Sequence, residues 1–103
     1  MKWHKIAYTS EDIILNPNNI AEANAGGKTI CVAKGKNGWY AFAQKCPHAG
    51  GFLSEGHIDE NDQIVCPLHR YKFNLGNGRN PGEGYYLKIF PLEIRPDGVF
   101  VGI

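Results

Sequence analysis

The chain of 103 residues has only three cysteines, a formal net charge of +1, and no apolar run approaching the ~20 residues that cross a bilayer. Each of these absences removes a class of protein. Without a long apolar segment, and with polar residues in Met1-Lys2-Trp3-His4-Lys5-Ile6 where a signal peptide is apolar, a cytoplasmic protein with no membrane partner is expected. A charge near neutrality gives no case for a nucleic-acid partner and no long-range steering. Three cysteines build no disulfide framework, which suits a reducing compartment. There is no nucleophile and base pair, no phosphate-cradling glycine loop, no internal repeat, no low-complexity segment and no linker. The expectation is therefore no independent enzyme and no direct small-molecule substrate.

What is present is a turn-rich globular composition, with 43% hydrophobic residues, 13 Gly and 6 Pro. A chain of this size is one domain, residues 1–103. Short β-rich segments recur at 30–33, 39–43, 63–65, 71–75, 87–90 and 99–101, separated by turn chemistry at Gly35-Lys36-Asn37-Gly38, Glu60-Asn61-Asp62, Gly76-Asn77-Gly78 and Pro96-Asp97-Gly98. That pattern predicts an all-β fold, an antiparallel sandwich or barrel. The stretch 19–24 is the one helical candidate. Cys31 lies in a β-branched run and reads as a buried thiol acting as a small hydrophobe. His4 and His57 lack ligand spacing and read as surface or sheet residues, and Trp3 and Trp39 as packing residues.

The chemistry is concentrated in Cys46-Pro47-His48 and Cys66-Pro67-Leu68-His69, separated by residues 49–65. Thiolate and imidazole together suit zinc. A structural zinc site, however, usually pairs like ligands, as C-x2-4-C and H-x3-5-H. Here each segment mixes one thiolate with one imidazole, which is what a two-metal group needs if each loop is to reach both metals. Both segments fall where a strand gives way to a loop, so two hairpin tips could clamp such a group.

With Pro after each Cys and Gly50-Gly51 after the first segment, the pair resembles the Rieske iron–sulfur family. The likeness extends over most of the chain, through Ser54-Glu55-Gly56, Phe73-Asn74-Leu75, Asn77-Gly78 and Leu87-Lys88-Ile89-Phe90-Pro91-Leu92. It implies an antiparallel β fold with a small inserted cluster-binding subdomain at about 44–82. It also implies one [2Fe-2S] cluster, with Cys46 and Cys66 on the inner iron and His48 and His69 on the outer. Replacing two anionic thiolates by neutral imidazoles raises the potential above that of all-cysteine clusters.

Within the family, the chain resembles soluble, low-potential ferredoxins. The extra cysteine pair that braces high-potential members is missing. Where those members place a Ser and a Tyr whose hydroxyls ease reduction, this chain has Tyr71 and Phe73. The expected midpoint is therefore near the bottom of the Rieske range, about −150 mV or somewhat above. The ring nitrogens of His48 and His69 are expected to make the potential fall with rising pH. Pro81 or Gly82 would lie in the loop covering the cluster. Arg70 departs from the Gly or apolar residue of many relatives; it is a solvated charge or part of a docking face for an acidic patch. The implied function is a ferredoxin carrying single electrons from a flavin-containing NAD(P)H reductase to a terminal, aromatic-ring-hydroxylating oxygenase. The alternatives are a small subunit of an assimilatory nitrite reductase-like complex, or a redox-sensing or structural metal-binding module.

Overall fold

The structure is a computed structural model of the chain and describes every residue except Ala49 and Glu83. Among the described residues, ten strands form three antiparallel sheets. β1 (Trp3–Ala7), β9 (Leu92–Arg95) and β10 (Gly98–Gly102) make the first, in the order β1-β10-β9. β2 (Ile20–Ala25), β3 (Lys28–Gly35), β4 (Gly38–Ala43) and β8 (Ile89–Phe90) make the second, in that order. β5 (His57–Ile58), β6 (Gln63–Val65) and β7 (Lys72–Asn74) make the third, which lies in sequence between β4 and β8. Among the described residues no helix is long and apolar enough to cross a membrane.

β3 organises the interior. Its run Ile30-Cys31-Val32-Ala33 is wholly buried, and the twofold alternation of a strand divides that run between two cores. Ile30 and Val32 pack with Ala25, Ala41, Phe90 and Val101. Cys31 and Ala33 turn the other way, toward Phe42, Leu53, Ile64, Phe73 and Leu75, the side that also receives Cys46 and Cys66. The inserted third sheet thus shares a core with the second.

The β3–β4 turn is a two-residue loop, Lys36-Asn37, closed by Gly35 opposite Gly38. It is pinned to the third sheet by a buried carboxylate. Asp62, 5% exposed, accepts hydrogen bonds from the Lys36 and Asn37 backbone N–H groups at 2.6 and 2.8 Å and from the Tyr40 hydroxyl at 2.7 Å. Gly35 makes room for it, because a Cβ there would lie 2.6 Å from Asp62 Oδ1. Burial alone works against ionisation of Asp62, but these donors hold its carboxyl below the usual range. The same bond, with burial and the carboxylate charge, pushes Tyr40 up to about 12.

The helical expectation for 19–24 is wrong: the segment is β2, paired antiparallel from Ile20 opposite Ala33 to Ala25 opposite Lys28. Asn19 stands in the left-handed region at φ 66°, which breaks any helix there. Glu22 and Asn24 then face solvent while Ala21 and Ala23 are half-buried and Ala25 is buried, a period of two. Pairing with β3 outweighs the weak helical preference of Ala and Glu. The strand expected at 71–75 is confined to β7, and that at 87–90 to β8.

Candidate metal centre

Both ligand segments leave the end of a strand and double back. Beyond β4, Lys45 bridges to Phe52, the Cys46 N–H donates to the Gly51 carbonyl at 2.8 Å, and the Gly50 N–H donates to the Cys46 carbonyl at 2.8 Å. Beyond β6, the Cys66 N–H donates to the Tyr71 carbonyl at 2.8 Å. Each segment is thus a closed loop with its donors on a short arc. A Cβ on Gly51 would lie 2.9 Å from Leu68 Cδ1 and 3.6 Å from Cys66 Sγ, so the bare glycine lets the first loop lie against the second.

The donors are sorted by depth. Cys46 and Cys66 are buried, at 2% and 0% exposure, in the same core cluster. Burial pushes the Cys66 thiol up, the Leu68 N–H opposes it, and Cys46 pushes it further up. A coordinated metal reverses that preference, because its charge deprotonates a thiol outright. The imidazoles lie farther out, His48 half-buried and His69 exposed, with ring centroids 5.9 Å apart at 88°.

His48 carries the most telling atom. Its Nδ1 is buried and has no hydrogen-bond partner among the described residues. An orphaned buried polar atom costs about 1–3 kcal/mol, so it points to a ligand on that side. The ring itself is fixed: Tyr71 stacks on it at 3.6 Å between centroids and 26° between planes, and Tyr85 meets it edge-on at 5.0 Å and 78°. The two tyrosines also meet each other at 6.2 Å and 90°. The sequence marked Tyr71 only as unsuited to a serine's role and did not mark Tyr85; their shared signal is aromatic character next to the ligand loops. Phe73, by contrast, is fully buried in the shared core.

Two buried thiols inside, two imidazoles outside and a ring nitrogen without a partner among the described residues fit a two-iron cluster. A single zinc fits less well, since no three His, Cys, Asp or Glu side chains among the described residues converge on one metal position. Pro81 lines a groove of about 400 Å³ with His69, Arg70 and Tyr71, whereas Gly82 is exposed at φ 86°. Cys31 is fully buried; burial and the charge of Glu22 push its thiol up to about 12 against the Ser54 N–H, so it stays a neutral thiol. His4 sits half-buried in β1 and His57 exposed in β5, as expected. Trp3 lies under the Arg95 guanidinium at 5.0 Å and Trp39 under Lys34 at 5.2 Å.

Comparison with known proteins agrees with this geometry. The Rieske [2Fe-2S] domain model matches residues 2–83. The ferredoxin component of an alkene monooxygenase system from Xanthobacter autotrophicus is 30% identical over 81 residues, 77% of this chain and 66% of that protein. A nitrite reductase [NAD(P)H] from Emericella nidulans is 36% identical over 94 residues, 80% of this chain but 8% of that protein. The chain thus spans less than two thirds of the length of these relatives. Among solved structures, a complex of reduced oxygenase and oxidized ferredoxin in carbazole 1,9a-dioxygenase holds a chain that superposes with a TM-score of 0.77 at 28% identity, covering 97% of this chain and 92% of that one. The matched domain carries one Rieske-type [2Fe-2S] cluster, and it covers most of the chain: the chain belongs to the Rieske [2Fe-2S] domain family.

Proposed function

We propose that the protein is a one-electron carrier, a Rieske-type ferredoxin of the cytoplasm. It takes electrons from a flavin NAD(P)H reductase and delivers them to a terminal oxygenase of the aromatic-ring-hydroxylating type. Cys46, His48, Cys66 and His69 hold its one [2Fe-2S] cluster, which when bound stores a single electron. The reading takes 1–103 as one domain with a cluster-binding subdomain at about 44–82. One observation carries it: the thiols are buried in the core and the imidazoles lie outward, with His69 exposed. Such a gradient shields the inner end of the site and leaves the outer end open to a docked protein. Tyr71 and Tyr85 keep the His48 ring in place, and the Asp62 contacts keep the inserted sheet fixed to the frame, so little rearranges when charge changes.

The test is direct. The holoprotein should contain iron and acid-labile sulfide in equal amounts, two of each per chain. Reduced with NADH through a flavoprotein reductase, it should in turn support turnover by a terminal oxygenase. Iron without sulfide, or zinc, would sink the cluster assignment and favour a structural or redox-sensing module. A second reading, a Rieske component of a nitrite reductase, draws on the 36% identity to the Emericella nidulans enzyme. Copurification separates the two, because a carrier runs alone and a component brings a much larger protein.

A further inference from the structure

His69 and Arg70 are consecutive residues in the left-handed region, at φ 62° and 56°. Neither is glycine, so each holds a strained backbone conformation that L side chains rarely adopt. His69 is accounted for, since the turn presents its imidazole at the surface. Arg70 is not, because glycine would occupy the same position without strain.

Nothing within the described protein uses its charge. Arg70 is exposed and makes no hydrogen bond or ion pair among the described residues, whereas Lys72 lies 3.6 Å from Asp59 and Arg95 lies 2.9 Å from Glu93. It borders two grooves. One, of about 400 Å³, it shares with His69, Tyr71 and Pro81; the other, of about 470 Å³, with Pro67, His57 and Glu55. Leu68, two residues away, is 46% exposed. A strained backbone therefore holds a guanidinium, unpaired among the described residues, beside the outermost ligand candidate, while Lys72, the other cation lining both grooves, is already paired with Asp59.

We propose that Arg70 is a docking residue whose guanidinium pairs with a carboxylate on the protein that reduces this carrier. The inference rests on the electron-carrier reading above. Charge complementarity requires an acidic partner face, and the direction of electron flow selects the donor. Reduction adds one negative charge beside Arg70, which weakens attraction to an acidic face. An acidic donor thus binds the oxidised carrier and releases the reduced one, whereas an acidic acceptor would hold its product.

The experiment uses the holoprotein and its Arg70→Gly, Arg70→Lys and Arg70→Glu variants. In the first arm, each reduced protein is oxidised by hexacyanoferrate(III), an anion, and by hexaamminecobalt(III), a cation, at low ionic strength. Arg70→Glu should lower the anion-to-cation rate ratio by about ten-fold or more. In the second arm, the flavoprotein reductase that passes the assay above reduces each variant. Arg70→Gly should raise KM about three-fold or more with kcat unchanged and a flatter salt dependence, Arg70→Glu should raise it further, and Arg70→Lys should recover most of the loss. Arg70→Gly should also unfold at a higher temperature than the natural protein. An unchanged KM in Arg70→Glu overturns the docking role, even if the ratio shifts. A lower unfolding temperature in Arg70→Gly makes Arg70 structural and overturns it equally. Failure of the natural protein to accept electrons from any reductase instead refutes the carrier reading, and this proposal with it.

Discussion

At the scale of single residues, the site is an exercise in holding one ring still. His48 is flanked by Tyr71 and Tyr85 and keeps a buried Nδ1 with no partner among the described residues. Aromatic pairs of this kind contribute about 0.5–1.5 kcal/mol beyond burial, and groups that orient a metal ligand commonly change metal affinity 10- to 100-fold when removed. Tyr71→Ala should therefore shift the electron paramagnetic resonance g-values of the reduced protein and shorten the half-life of iron retention under chelator by about ten-fold. Tyr71→Phe, which keeps the ring, should change retention little. If Tyr71→Ala retains iron as the natural protein does, the stacking has no holding role. Phe73 bears on a second quantity. Its ring is fully buried and offers no hydroxyl, so the midpoint should fall near −150 mV, at about the low end of the family range. Redox titration checks this, and a midpoint above zero contradicts it. The four ligand candidates were legible in the sequence because their chemistry is local, written in two short spacings. The tyrosines' placement was not, because stacking depends on how two loops approach in space.

Individual elements were legible in proportion to how much of their stability is local. β3 and β4 announced themselves through β-branched residues in the one and aromatic residues in the other, around an Asn-Gly turn, and β6 and β10 through short apolar runs between turns. β2 did not, since its alanines acquire strand character only by pairing with β3. Asp62 was legible only as a turn residue; its role in tying the β3–β4 turn to the third sheet depends on Gly35, 27 positions earlier, lacking a side chain. That tie is testable by pH. Asp62 has a folded pKa below its unfolded value near 3.8, so its contribution is fully present above that value and is lost as pH falls through the folded pKa. Tyr40 is raised from 10 to about 12, so its contribution is fully present below pH 10 and is lost as pH rises toward 12. Denaturant titrations should thus show stability falling below about pH 4 and above about pH 10. Tyr40→Phe should flatten the alkaline limb and cost about 1–2 kcal/mol at neutral pH, and Asp62→Ala about 3 kcal/mol with the acid limb reduced. Parallel limbs in natural and variant proteins would count against the tie.

For the whole molecule, the consequence of the shared core is that cluster and fold stand or fall together. Leu53, Ile64, Phe73 and Leu75 come from the inserted segment, Cys31, Ala33 and Phe42 from the second sheet, and all are buried in one cluster with Cys46 and Cys66. The candidate ligand loops share this buried cluster with the frame, so the inserted sheet is not expected to melt on its own. Thermal unfolding of the holoprotein, followed by far-ultraviolet circular dichroism and by visible absorbance of the cluster, should give coincident transitions. Phe73→Ala should lower both midpoints together, because removing a fully buried phenylalanine costs about 3–5 kcal/mol and the cavity opens between the two sheets. Tyr71→Ala should behave differently, since its half-buried ring only flanks the shared core and stacks on His48: the absorbance should decay earlier, and the dichroism transition should move less than in Phe73→Ala. The contrast separates a side chain that holds the frame from one that holds a ligand. Were Phe73→Ala to lose its absorbance with the dichroism transition unmoved, the inserted sheet would be a separate folding unit, and the tie through Asp62 would have to carry the coupling alone.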